Sequence, residues 1–155
     1  MTSAAVLLAA ASIAAGAPAA LAAPARDCSA AETRQLVVDF LSAFNAGRAV
    51  RLDRDFARAP IFKWYSTTGP GKRLGAAAYD RSSLLRYFAG RHAQRERLSL
   101  RFWSGGGNAN GYSHFQFRVV RSARDLPATL YEGKGAIVCS DGGNMIAVWS
   151  MGRAS

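Results

Sequence analysis

Between Leu98 and Met151 the chain repeats one pattern in four runs, LSLRFWS, YSHFQFRVVR, LYEGKGAIVC and MIAVWSM, with Gly, Asn, Asp or Pro between them. A strand turns successive side chains to opposite faces, so a period of two bounded by turn residues predicts β-strands. Connections this short join antiparallel neighbours. The first gap, GGGNANG from Gly105 to Gly111, invites comparison with a phosphate loop. Phosphate loops lead from strand to helix, where backbone amides meet the anion. This one lies between two alternating runs, so it is expected to be a long, mobile β-turn whose Gly and Asn residues accept positive φ.

Upstream the period changes. Ser29 and Glu32 have the spacing of a capping box, and Leu36, Val37, Phe40, Leu41 and Phe44 follow as one apolar stripe that ends at Asn45-Ala46-Gly47. A short helix is expected over 51–58, burying Leu52 and Phe56, and a strand over 61–68 in IFKWYSTT. TGPGKRLG is expected to be a loop. Its Gly69-Pro70-Gly71-Lys72-Arg73 lacks the full P-loop spacing. Asp80 can cap a second long helix over 81–97, with Leu84, Leu85, Phe88 and His92 on one face. Residues 122–129, with Pro127, are expected to be an irregular connection.

Helix, short helix, strand, helix and then four strands make an α+β fold: a curved, mostly antiparallel sheet with two long helices and one short one packed on one face. This order, the amphipathic first helix and the aromatic strand after a short helix resemble the nuclear transport factor 2-like superfamily, which includes the SnoaL-like cyclases and the ketosteroid isomerases. The resemblance covers about residues 29–151. It implies a cone whose sheet and helices enclose a pocket, and often a dimer. It does not choose among isomerase, dehydratase and pure binding roles.

Alternation sorts the side chains. Phe62, Trp64, Ser66, Leu98, Leu100, Phe102, Ser113, Phe115, Phe117, Val119, Tyr131, Ile137 and Cys139 are expected to face inward. That list holds no Asp, Glu, His or Lys, whereas proton-transfer chemistry needs a titratable group. The isomerases carry an acid on the strand after the second helix, where this chain reads IFKWYS. No catalytic residue is therefore assigned, and no cofactor or metal is expected. His92 and His114 have no ligand-like neighbours. The expected function is non-enzymatic binding, with a small apolar ligand held in the cone by Phe62, Trp64, Phe115, Phe117 and Tyr131, or a partner held on the sheet face. The alternative is an enzyme of the dehydratase, cyclase or isomerase type using Asp55 or Tyr131. Asp55 is otherwise read as a solvated or Arg-paired helix residue.

The outward set, Lys63, Tyr65, Arg101, Trp103, Tyr112, His114, Gln116 and Arg118, mixes cations with aromatics. Lys63, Tyr65, Arg101, Trp103, His114 and Arg118 are assigned to a partner surface, with a second copy of the chain as the expected partner. The same face suits anionic polymers through charge and stacking. A net charge of +10, with 17 arginines among 20 basic residues, implies weak attraction to anionic surfaces rather than specific nucleic-acid recognition.

Residues 1–25 carry no charge, hold an apolar run from Ala4 to Ala15, and end in two A-x-A sites. They read as an export signal cleaved near Ala22 or Ala25, leaving one domain over 26–155 in a secreted or cell-envelope protein. Two cysteines in an exported chain, Cys28 and Cys139, predict one disulfide.

Overall fold

The computed structural model describes residues 25–58, 63–68, 73–78, 80–109 and 111–154. The segment read as an export signal lies outside them except for Ala25, as does Phe62. In chain order the elements are β1 (Ala25–Arg26), α1 (Ala30–Ala46), α2 (Ala49–Asp55), β2 (Lys63–Thr68), β3 (Arg73–Ala78), α3 (Arg81–Ala93), β4 (Arg97–Ala109), β5 (Tyr112–Ala123), β6 (Leu126–Ser140) and β7 (Met145–Arg153). The sheet runs β3-β2-β7-β6-β5-β4. All pairings along it are antiparallel except β2 with β7. This is the expected α+β fold.

Helix α1 begins as its sequence dictates. Ser29 Oγ accepts from the Glu32 amide at 3.2 Å, and Glu32 accepts from the Ser29 amide at 2.9 Å. The helix stops at Gly47, where φ is +67°. Leu36, Val37, Phe40, Leu41 and Phe44 are buried, and Asn45 pins the helix to β4 by bonding both the N–H and the C=O of Leu98. Helix α3 starts at Asp80 as expected, but it ends at Ala93 rather than continuing to Arg97.

Phe40 lies 4.7 Å from Trp149 and 5.3 Å from Phe56 between ring centroids, and Trp149 stacks on Phe117 at 4.0 Å. Gly133 and Gly135 make this packing possible on β6. A Cβ at either would run into the ring of Phe117 or Phe115 and into the neighbouring β7 backbone. Cys28 and Cys139 form the expected disulfide, with Cα atoms 5.6 Å apart. It closes a loop of 111 residues, nominally worth about 5 kcal/mol on the chain-entropy model. β1 pairs with Cys139 and Ser140, just past the Ser113–Ile137 pair where β5 leaves β6. No helix among the described residues is long and apolar enough to cross a membrane.

Several local expectations fail for identifiable reasons. The glycine stretch is mostly strand: β4 continues to Ala109 and pairs with β5 to Tyr112, with a register shift between Gly105 and Asn108. Gly111 alone in the hairpin end has positive φ among the described residues there, at +75°. The glycines thus accommodate a bulge, which also tolerates their freedom. Part of the expected loop TGPGKRLG, from Arg73, is strand β3, paired with β2 from Trp64–Ala78 to Thr68–Arg73. Residues 122–129 are not an irregular connection either, since Ala123 pairs with Leu126 in a tight hairpin.

Facing also changes on β4. Leu100 pairs with Val119 but Phe102 pairs with Arg118, so Arg101 is an extra residue and the alternation flips. Phe102, expected inside, is 51% exposed. Trp103, expected on the outer partner surface, sits opposite Phe117 and packs against the core.

Candidate functional site

Two buried carboxylates bear on function, and the first is Asp55. Arg51 and Asp55 are one helical turn apart on α2, and Arg51 Nε donates to Asp55 Oδ1 at 2.7 Å. Arg51 also reaches Asp39 at 3.3 Å. Asp55 is only 4% exposed, and its Oδ2 has no hydrogen-bond partner. Burial pushes its pKa above the ordinary carboxylate range, with Arg51 pulling the other way.

The chain brings this carboxylate to a turn. Phe56 bridges to Ile146 at the start of β7, and the Ala57 amide donates to the Ile146 carbonyl at 2.8 Å. That staple sets the end of α2 against the turn between β6 and β7. The turn is closed by the Gly143 amide on the Ser140 carbonyl at 3.0 Å and by Ser140 Oγ on the Gly143 carbonyl at 2.9 Å. Asn144, at its end, also buries an unpartnered oxygen, Oδ1. Arg81, from the first turn of α3, clamps the far side: it pairs with Asp53 at 2.5 Å and donates to the Phe56 carbonyl at 2.9 Å.

Between these pieces lies an open cleft of about 690 Å³ lined by Arg51, Arg54, Asp55, Phe56, Arg58, Arg81 and Gly142–Met145. Three of its arginines have carboxylate partners: Arg51 with Asp39 and Asp55, Arg58 and Arg81 with Asp53. Arg54 has no ion-pair partner within 4.0 Å among the described residues. The cleft residues thus include one arginine without an ion-pair partner and two residues, Asp55 and Asn144, with buried, unpartnered oxygens. Met145 adds an apolar wall to the same cleft.

The second carboxylate is Glu96, in the connection from α3 to β4. It is fully buried, and it corrects the expectation of an inner face free of acids. Arg121 binds it at 2.9 and 3.0 Å, and Arg91 donates to it from α3. Arg91 also grips Asp125 at 3.0 Å through both terminal nitrogens. Arg121 is held near Tyr87 and over the Tyr131 ring, 5.1 Å from its centroid. Alternation missed Glu96 because it precedes the strand.

Of the residues assigned to an apolar ligand, Phe115, Phe117 and Tyr131 lie inward and are buried, with Phe115 and Phe117 in contact with each other and with Trp149. The register sets Trp64 opposite Trp149. Of the residues assigned to a partner, Arg101, His114 and Arg118 are exposed, and Arg118 pairs with Glu132 at 3.8 Å. Lys63 and Tyr65 stand opposite Val148 and Ser150. A shallow groove of about 390 Å³ crosses this face between His114, Gln116, Lys134 and Val148.

Sequence reasoning reached Asp55 but missed Arg54, Arg58, Arg81 and Asn144. The i, i+4 spacing of Arg51 and Asp55 was the available signal for the pair. Nothing local tied SDGGN to α2.

The pairing of β2 parallel to β7 in an otherwise antiparallel sheet, with α1 against β4 and α3 against β3, decides the fold. The chain has the nuclear transport factor 2-like fold. A proposed dehydratase of that family from Streptomyces avermitilis superimposes with a TM-score of 0.65 at 12% identity, covering 81% of this chain and 95% of its own. An uncharacterised protein with a cystatin-like fold from Caulobacter vibrioides gives 0.66 at 13% identity, covering 81% and 89%. A ketosteroid isomerase-like protein from Erwinia carotovora atroseptica gives 0.57 at 11% identity, covering 81% and 95%. At these identities the likeness is one of fold. No family model and no curated protein matches the sequence.

Proposed function

We propose that this nuclear transport factor 2-like chain is an exported binding protein for a small anionic ligand, held in the cleft between α2 and the β6–β7 turn. The observation that carries the reading is Arg54, which lines the cleft with no ion-pair partner among the described residues, while Arg51, Arg58 and Arg81 there each hold a carboxylate. A cation without an ion-pair partner in a concave site attracts an anion, and salt screens that attraction. The disulfide fits the oxidising compartment that an exported protein meets. The inner rings Phe115 and Phe117 support the cone by packing on Trp149, which favours the cleft over the cone interior as the ligand site. Titration with 3-phenylpropionate, followed by calorimetry, tests the reading. Binding should weaken with salt and fall at least tenfold in Arg54→Glu. Equal affinity in that variant, or no binding by either, overturns it.

The same cleft is where proton transfer by Asp55 would take place, since its raised pKa leaves the carboxyl able to exchange a proton nearer neutrality. Turnover of a bound acid, lost in Asp55→Asn, would convert the binding reading into an enzymatic one.

A second role is favoured by the outer sheet face. Phe102 is half exposed there, with Leu130 and Val148 also exposed. A second copy of the chain covering this face would bury them. Sedimentation of the wild type as a dimer and of Phe102→Glu as a monomer is the expected outcome, and a monomeric wild type removes this role. A dimer that also releases heparin only at high salt would add anionic-polymer binding by Arg101, His114 and Lys134.

A further inference from the structure

The cleft has a chemical asymmetry that narrows what it takes. Asp55 Oδ2 and Asn144 Oδ1 are both acceptors, both buried and both without a donor. They come from α2 and the β6–β7 turn, set together by the Phe56–Ile146 bridge and the Ala57–Ile146 hydrogen bond, and the residues that carry them line one cleft. An anion alone satisfies neither. A carboxylate oxygen facing Asp55 would add repulsion between like charges, although Arg51 bonds the other Asp55 oxygen. A purely cationic ligand would satisfy Asp55 but leave Arg54 as it is and meet three further arginines.

Resting on the binding reading above, we propose that the ligand is a carboxylate bearing a hydroxyl or amino donor on the adjacent carbon. Its carboxylate lies toward Arg54. An ammonium has hydrogens enough for both Asp55 Oδ2 and Asn144 Oδ1, whereas a hydroxyl, with one hydrogen, donates to one of them, and the side chain lies along Met145. Arg54 and Asp55 both line the cleft, which is why one ligand must carry the anion and the donor together. A site built to accept hydrogen bonds rejects analogues that lack the donor, because its buried acceptors are then left empty.

Three probes of nearly equal shape separate the parts: 3-phenylpropionate, 3-phenyllactate and phenylalanine. The intact disulfide-bonded protein is titrated with each by calorimetry at neutral pH. Phenyllactate or phenylalanine should bind at least tenfold more tightly than phenylpropionate, and which of the two gains more identifies a hydroxy or an amino acid. In Asp55→Asn and separately in Asn144→Ala the preference should shrink toward unity while phenylpropionate binding persists. The second variant keeps the test open should the first disturb α2, and circular dichroism checks both. If all three probes bind equally, water satisfies the two oxygens and this inference falls while the anion reading stands. If phenylpropionate and both analogues fail to bind, the anion reading falls with it.

Discussion

Asp55 and Glu96 are both buried carboxylates beside arginine, and they have opposite fates. Glu96 is fully buried, yet both its oxygens are held, by Arg121 and Arg91. Burial draws the Arg121 pKa down, but its bond to Glu96 prevails and the net shift is upward. Asp55 is bonded through one oxygen and left open at the other, and its own pKa goes up. Saturation is what separates them. A saturated buried ion cluster ties elements together, here the end of α3 to β5. A half-saturated one is a cost to the fold that a ligand can offset.

Four experiments break or sharpen that contrast. The largest effect should come from the double variant Cys28→Ser and Cys139→Ser, with about 5 kcal/mol lost in denaturant unfolding. Cys139 immediately precedes the cleft turn, so ligand binding should weaken in the same variant, while a signature of the Glu96 cluster such as Tyr87 and Tyr131 absorbance remains native. Next, Arg121→Met should cost about 3–5 kcal/mol, because it strands Glu96 in the interior. A change below 1 kcal/mol would mean the cluster contributes no net stability. Asp55→Asn should instead lie within about 1 kcal/mol of wild type, neutral or stabilising, because removing the charge relieves its desolvation. A loss as large as that of Arg121→Met would erase the distinction.

The smallest effect is in the pH dependence, and its two limbs have opposite signs. Asp125 is held below the ordinary range by Arg91. Its contribution is present above the unfolded-chain pKa of about 4 and is lost as pH falls through its folded value. Asp55, raised by burial, binds its proton more tightly in the folded state, so stability falls as pH rises from about 4 through its folded value. Asp125→Asn should flatten the first limb and Asp55→Asn the second. Melting temperatures between pH 3 and 7 would measure both, and identical curves for the three proteins would contradict the assignment of either.

Much of the fold was legible because it is written in periods. Ser29, Glu32 and the stripe from Leu36 to Phe44 specify α1 locally. His114, Gln116 and Arg118 alternate with Phe115, Phe117 and Val119 on β5 as the structure places them. Alternation failed where a bulge adds a residue, which turned Phe102 outward and Trp103 inward. It was silent on β7, where Ile146, Ala147, Val148 and Trp149 are apolar on both faces, so the central Trp149 was not foreseen. β3 was missed because RLGAAA has little strand propensity and exists by pairing with β2.

The site was less legible than the fold. Asp55 could be named, and its pairing with an arginine expected, from residues four apart. That it is buried, that Asn144 lines the same cleft, and that Arg81 arrives from α3 depend on contacts between segments dozens of residues apart. By itself the sequence determined the helix caps and the alternation of β5, which rest on neighbours within a turn or a pleat, the disulfide pair, because two cysteines allow only one bridge, and the class of fold, which rests on the order of the elements. Tertiary structure alone decided which of two similar carboxylates is fully bonded and which is left open, because hydrogen-bond saturation is set by what the rest of the chain brings to each oxygen.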